Sequence, residues 1–126
     1  MEPVNLFDLA SQQARWLAVR QTAVSSNIAN ANTPGYGAVD VEPFEAVLNQ
    51  KQVTMRATHP RHIAASAGSG GVAVRQINDD RPTMPSGNTV VLESELMKSG
   101  QVRRSFELNT AIVRSFHKML MMTTRS

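Results

Sequence analysis

The chain has 126 residues and no cysteine, with one tryptophan, one tyrosine and four phenylalanines. That is the size of one ordinary domain; disulfides, thiolate catalysis and Cys-ligated zinc are excluded, and aromatics at 5% are sparse for an enzyme core. The net charge of +3 lies in residues 89–126, where six bases stand against three acids, too small an excess to point to nucleic acid by itself.

The first stretch is periodic. Phe7, Ala10, Ala14, Leu17, Gln21, Val24, Ile28 and Ala31 follow a 3–4 alternation in which only Gln21 is polar, a heptad seam sustained for about seven turns. Pro3 precedes it, where a helix start tolerates proline, and Asn5 or Asp8 suits the cap. The spacing predicts a helix over 5–31 within an N-terminal segment 1–31. Glu2 and Asp8, with no basic run ahead of an apolar one, predict no Sec-type signal peptide. No apolar run approaches the roughly 20 residues that span a bilayer.

The middle segment, 32–88, holds five of the six prolines and six of the seven glycines. Val39-Asp40-Val41 and Gly71-Val72-Ala73-Val74-Arg75 alternate with a period of two, which predicts short strands. Ala67 to Gly71 and Asp79 to Pro82 read as loop. The scattered apolar residues show no helical period and cannot build a core alone.

Periodicity returns in the C-terminal segment, 89–126. Val102, Phe106, Asn109, Val113, Phe116 and Leu120 form a second seam, widened by Leu108, Ile112 and Met119. A helix over 89–123 is predicted, with Glu93 and Glu95 placed in its first turns, where the dipole favours acids. Met119, Met121 and Met122 read as the adaptable end of a packed helix. The expected fold is therefore one mainly α domain: two long amphipathic helices paired as a coiled-coil hairpin around a small irregular, β-containing middle. Ordering either helix alone costs more than burying residues such as Phe7, Leu17, Val24 and Ile28 returns. A two-helix hairpin still leaves a face bare, so the missing partner is expected to be other chains.

Reaction chemistry is weak along the whole chain. His59-Pro60-Arg61-His62 has two histidines but no further ligand at metal spacing, and Asp79-Asp80 lacks a calcium-loop frame. Lys98-Ser99 lacks the glycine and lysine placement of a phosphate loop, and no Gly-x-Ser-x-Gly elbow is present. No catalytic residue, cofactor, metal or small-molecule substrate is expected. Residues 92–109 can be read as a helix-turn-helix with its turn at Gly100 and Arg103-Arg104 opening the second helix, but Glu95, Leu96 and Ser99 fit that frame poorly. A small basic helical DNA-binding protein is thus the alternative outside the assembly reading, beside an adaptor that binds one partner in a closed complex.

One segment is specific. Ser26-Asn27-Ile28-Ala29-Asn30-Ala31-Asn32-Thr33-Pro34-Gly35-Tyr36 closes the first helix. Asn32 tolerates the left-handed conformation of a helix terminus, Thr33 before proline is pushed to extended geometry, and Pro34-Gly35 supplies the dihedrals of a type II turn. Tyr36 anchors the turn with a ring and a hydroxyl. The undecapeptide resembles the signature of the bacterial flagellar rod and hook family of axial proteins, carried here by Asn27, Ala29, Asn30, Asn32, Thr33, Pro34, Gly35 and Tyr36. Gly37 stands where the family often has a basic residue.

Within that family the short length leaves no room for the large outer domains of hook and distal rod proteins. Thr58 to Ile63 and Gly87 to Met97 are similar to the middle segment and to the opening of the last helix of proximal rod subunits. Val91 replaces an aspartate often found there, which weakens that cap. A neighbouring rod subunit is the alternative within the family. The resemblance implies a structural subunit of the proximal rod of the flagellar basal body, exported by the type III apparatus without a cleaved signal and built into a helical polymer in the periplasm. Implied partners are other copies of the chain, other rod proteins and, at the proximal end, export-gate and basal-body adaptor proteins; nucleic acid is not among them. The terminal helices would pack as coiled coils around a central channel through Phe7, Leu17, Val24, Ile28, Val102, Phe106, Val113, Phe116 and Leu120. Such contacts are heterologous and non-closing.

Overall fold

The computed structural model describes residues 5–49, 72–77 and 82–125. The two histidines of His59–His62, the Gly68–Gly71 run and Asp79-Asp80 lie outside the described residues. Within the described residues five elements follow in chain order: α1 (Leu6–Ala29), β1 (Val39–Val41), α2 (Phe44–Asn49), β2 (Val74–Gln76) and α3 (Leu92–Thr124). The protein is mainly helical, with α1 packed on α3 and α1 packed on β1.

Helix α1 starts where Asn5 can cap it. The Asn5 side chain accepts from the backbone N–H groups of Phe7 at 3.1 Å and Asp8 at 3.4 Å, satisfying donors that the first turn leaves orphaned. The helix ends at Ala29, two residues before the last seam position, because the chain turns at Asn30. Helix α3 begins at Leu92, later than the expected 89. Val91 stands at its N-cap without a side-chain bond, while the side chains of Asn88 and Thr89 bond to the segment that follows α1. Gly100 lies inside one continuous helix, so the helix-turn-helix reading fails: there is no turn at that glycine.

The middle contains one element that periodicity did not predict. Helix α2 is six residues long, under two turns, too short to display a 3.6-residue repeat. Pro43 starts it with its carbonyl, which accepts from Ala46 at 3.0 Å and Val47 at 3.2 Å. Phe44 then tilts against Trp16 of α1, ring centroids 5.8 Å apart. Strands β1 and β2 form a two-stranded antiparallel sheet with Asp40 opposite Arg75. The second strand is shorter than the run Gly71–Arg75 suggested, starting three residues later and ending one later, at Val74–Gln76. Glu42 and Arg75 form an ion pair beside the ladder, and the Trp16 indole N–H donates to the Glu42 carbonyl at 2.7 Å.

The core is small. Leu17, Ala23 and Val24 from α1, with Ala38, Val90 and Val102, are all buried. Three polar side chains, Asn27, Asn88 and Glu95, are buried with them.

Candidate functional site

The motif segment forms a turn held from both sides. Asn27 is fully buried and binds β1 at one residue: its Nδ2 donates to the Val39 carbonyl at 2.7 Å, and its Oδ1 accepts the Val39 N–H at 3.0 Å. The Tyr36 hydroxyl also donates to that Oδ1 at 3.3 Å and lies 3.1 Å from Ser26 Oγ. Asn30 turns the chain back, donating from Nδ2 to the Ser26 carbonyl at 2.8 Å and accepting the Thr33 hydroxyl at 3.1 Å. The Tyr36 N–H reaches the Thr33 carbonyl at 3.3 Å across Pro34 and Gly35, and Gly35 has φ +74°. This is the type II geometry that a Pro-Gly pair favours.

The other half of the clamp arrives from more than fifty residues away. Asn88, 1% exposed, donates from Nδ2 to the carbonyls of Asn30, Ala31 and Thr33 at 2.8, 3.0 and 2.9 Å. Its Oδ1 accepts the Val90 N–H at 2.8 Å. Gly35 donates to the Ser86 carbonyl at 2.8 Å, and Thr89 donates to the Tyr36 carbonyl at 3.1 Å. The Thr89 hydroxyl accepts the Ala38 N–H at 2.8 Å. Asn32 is exposed and does not adopt the left-handed conformation expected of it; only Gly35 and Gly87 have positive φ among the described residues. With Asn88 taking up the loop carbonyls, the chain leaves α1 without a left-handed residue. Ala29 and Pro34 are exposed.

The helix pair divides the seam residues unevenly. Leu17, Val24 and Val102 are buried inside the chain, whereas Ile28, Phe106, Val113 and Phe116 are half-buried. Phe7 and Leu120 stay exposed. Phe7 meets Phe116 edge-on with centroids 5.3 Å apart. Asn109, the one polar residue of the α3 seam, donates from Nδ2 to the Ala10 carbonyl at 3.1 Å and to Gln13 Oε1 at 2.9 Å. These contacts set the antiparallel register, since the start of α1 lies beside the later part of α3.

A charged cluster ties α1, β1 and α3 together. Asp40 carries Lys98 Nζ at 3.1 Å on one oxygen and Arg20 Nε at 3.6 Å on the other. Lys98 Nζ also lies 3.3 Å from Glu95 Oε1. Glu95 lies in the first turn of α3 as expected, but it is fully buried and joined through Lys98 to Asp40 of β1. Arg20 in turn lies over the Trp16 ring, 5.4 Å from its centroid. Two acids facing two bases keep the cluster neutral, and partners on both sides repay part of the desolvation that burial imposes.

Sequence reasoning missed Asn88, Glu95 and the Asp40–Lys98 bridge as organising residues. Only the Gly87-Asn88-Thr89 run carried a signal, as a resemblance to the opening of the last helix. Among the described residues no group of three acidic or histidine side chains could hold a metal ion, and no described helix is long and apolar enough to cross a membrane. What the arrangement offers is surface. After pairing with α1, α3 still exposes Leu96, Met97, Leu108, Ile112, Met119, Leu120, Met121 and Met122. Met119, Met121 and Met122 are exposed at the end of α3, so among the described residues the methionine cluster has the character of an interface and not of packing within the chain.

Comparison with known proteins agrees with this geometry. The family model described as flagella basal body rod protein matches residues 10–36, which are most of α1 and the whole turn. The chain is 47% identical to the flagellar basal body rod protein FlgB of Agrobacterium fabrum over 129 aligned positions, covering 99% of this chain and 96% of that one. Identity to FlgB of Cereibacter sphaeroides is 36%, over 84% of this chain and 85% of the relative. Identity to FlgB of Aeromonas hydrophila is 32%, over 74% and 70%. A helical hairpin closed by the axial-protein turn, matched nearly end to end, is a structural component of the flagellar basal body rod, and the chain belongs to the FlgB family of rod proteins.

Proposed function

We propose that this rod subunit polymerises through α1 and α3 with other copies of itself and with other rod proteins, forming the membrane-proximal drive shaft around an export channel. On the same reading it reaches the periplasm through the type III apparatus without a cleaved signal, and its proximal end meets export-gate and basal-body adaptor proteins. The observation that carries the proposal is a second apolar stripe on α3. Met97, Leu108, Ile112, Met119 and Met122 are all exposed and fall within about 80° of arc at 100° per residue. Gln101, Arg104 and Ser115 lie between them. The stripe is set off from the seam of Val102, Phe106, Val113 and Phe116 that faces α1. A monomer gains nothing from such a stripe, whereas a bundle buries it.

Leu17 and Val102 serve the fold of each subunit, so the contacts between subunits are tested at the exposed stripe. Quantitative mass spectrometry of sedimented hook–basal bodies is expected to recover the chain in stoichiometric amount with the rod. Ile112→Asp is expected to abolish that recovery while leaving the helical circular dichroism of the purified chain unchanged. Normal recovery and motility with Ile112→Asp and Leu108→Asp together would count against polymerisation through this face.

A further inference from the structure

We propose that Met97, Met119 and Met122 of α3 are sites of reversible oxidation, and that their conversion to sulfoxides keeps an unassembled subunit out of the rod. The sites follow from the single chain; the consequence for the rod rests on the polymer reading above.

The sequence has seven methionines and no cysteine, so thioethers are its only sulfur and no thiol competes for an oxidant. Met1 and Met55 lie outside the described residues. The other five are all at the surface: Met84 and Met121 are 51% exposed, Met119 57%, Met122 63% and Met97 68%. Methionine is ordinarily among the residues found inside, yet the described core is Leu17, Ala23, Val24, Ala38, Val90 and Val102. An oxidant therefore reaches these sulfurs without opening the fold, and oxidation removes no core contact.

Three of the sulfurs share one face. At 100° per residue Met97, Met119 and Met122 fall within about 60° of arc. Together with Leu108 and Ile112 they make up the exposed apolar stripe of α3. Met121 lies about 120° from Met97 by the same count, on the face of Arg103 and Arg114, which are exposed. Oxidation thus turns most of the stripe from apolar to polar, whereas Met121 already stands among charges.

The sulfur lone pair attacks the electrophilic oxygen of a peroxide or of hypochlorous acid. With hydrogen peroxide an S–O bond forms, the O–O bond breaks and water leaves. Sulfur loses two electrons and the peroxide gains them. The product is a polar, chiral sulfoxide. A dithiol-dependent sulfoxide reductase reverses the step, its two thiols closing to a disulfide as water departs. On a free subunit the new oxygen is hydrated, so the fold is undisturbed. Between packed subunits the same oxygen is buried without a donor, which opposes the contact.

The purified chain, treated with hydrogen peroxide and mapped by peptide mass spectrometry, tests the sites. One added oxygen is expected on each of Met97, Met119 and Met122, with helical circular dichroism unchanged, and methionine sulfoxide reductases with dithiothreitol are expected to remove it. A second experiment induces the chain in cells during exposure to hypochlorous acid. Recovery in sedimented basal bodies is expected to fall about tenfold, the effect of one unpaired buried acceptor. A chain carrying Met97→Leu, Met119→Leu and Met122→Leu is expected to keep its recovery under the same exposure, which separates the effect from general damage. Each single leucine change is expected to protect in part, so the test survives a triple variant that fails to incorporate; Met121→Leu is expected to protect nothing. Four results overturn the inference: added oxygen confined to Met84 and Met121, helicity lost on oxidation, sulfoxide-bearing chain recovered at the parental amount, or leucine variants as sensitive as the parental chain. Absence of the parental chain from basal bodies without oxidant overturns the polymer reading itself, which keeps the two failures apart.

Discussion

The two ends of the α1–α3 hairpin are built on opposite principles. At the turn end, Asn27, Asn88, Tyr36 and Thr89 bind carbonyls and N–H groups of the loop and of the first strand. Polar groups are buried there and satisfied inside one chain. At the far end, Phe7 packs on Phe116, and the described apolar side chains that follow in α3, Met119 to Met122, are exposed. One end is tied together by polar groups inside one chain, and the other presents apolar side chains to its surroundings. Burying a hydrogen-bonded network fixes a unique geometry, whereas exposed apolar surface is adaptable but must find a partner. A subunit that repeats in a polymer needs both: a rigid reference end and an end whose stability is supplied by a neighbour.

Substitutions separate these roles. The largest effect is expected from Asn88→Ala, which removes four hydrogen bonds and leaves loop carbonyls without their donor. A loss of about 3 kcal/mol in urea unfolding is expected, and a loss below about 1 kcal/mol would show that water replaces the clamp. Next comes Gly35→Val. A Cβ at Gly35 meets nothing within 4 Å, so the penalty comes chiefly from backbone strain at positive φ, about 1–2 kcal/mol, read as a lower thermal midpoint with unchanged helicity. Asn5→Ala tests a polar device at the open end. Loss of its cap is expected to cost about 1 kcal/mol and to speed amide exchange in the first turn of α1 selectively. Met122→Ser should change monomer stability by less than about 0.5 kcal/mol, yet reduce the amount of chain recovered in sedimented basal bodies. Equal loss on both counts would erase the distinction between the two ends.

The same division governs what could be read from the sequence. The long helices were legible because their seams repeat locally, and Pro34-Gly35 was legible because turn dihedrals are set by the residues themselves. Asn88 was not, because its partners Asn30, Ala31 and Thr33 are 55 to 58 residues away. Glu95 looked like a first-turn acid and is buried, since only the approach of Asp40 and Lys98 decides its environment. Helix α2 escaped for want of length. In the turn, Asn32 had the right intrinsic preference, but a donor from a distant segment made that preference unnecessary.

Asn109 bonds to Ala10 across 99 residues of sequence, and the clamp at Asn88 reaches back to the end of α1. Such a topology has a kinetic consequence. Contacts of this span form only after long loops close, which slows folding and leaves early segments uncommitted. A chain that emerges from its N-terminus therefore has α1 and its turn waiting for partners until almost the whole polypeptide has arrived. During that interval the first helix is available to whatever apolar surface lies nearest, so the order of arrival, as much as the final contacts, decides which neighbour it meets first.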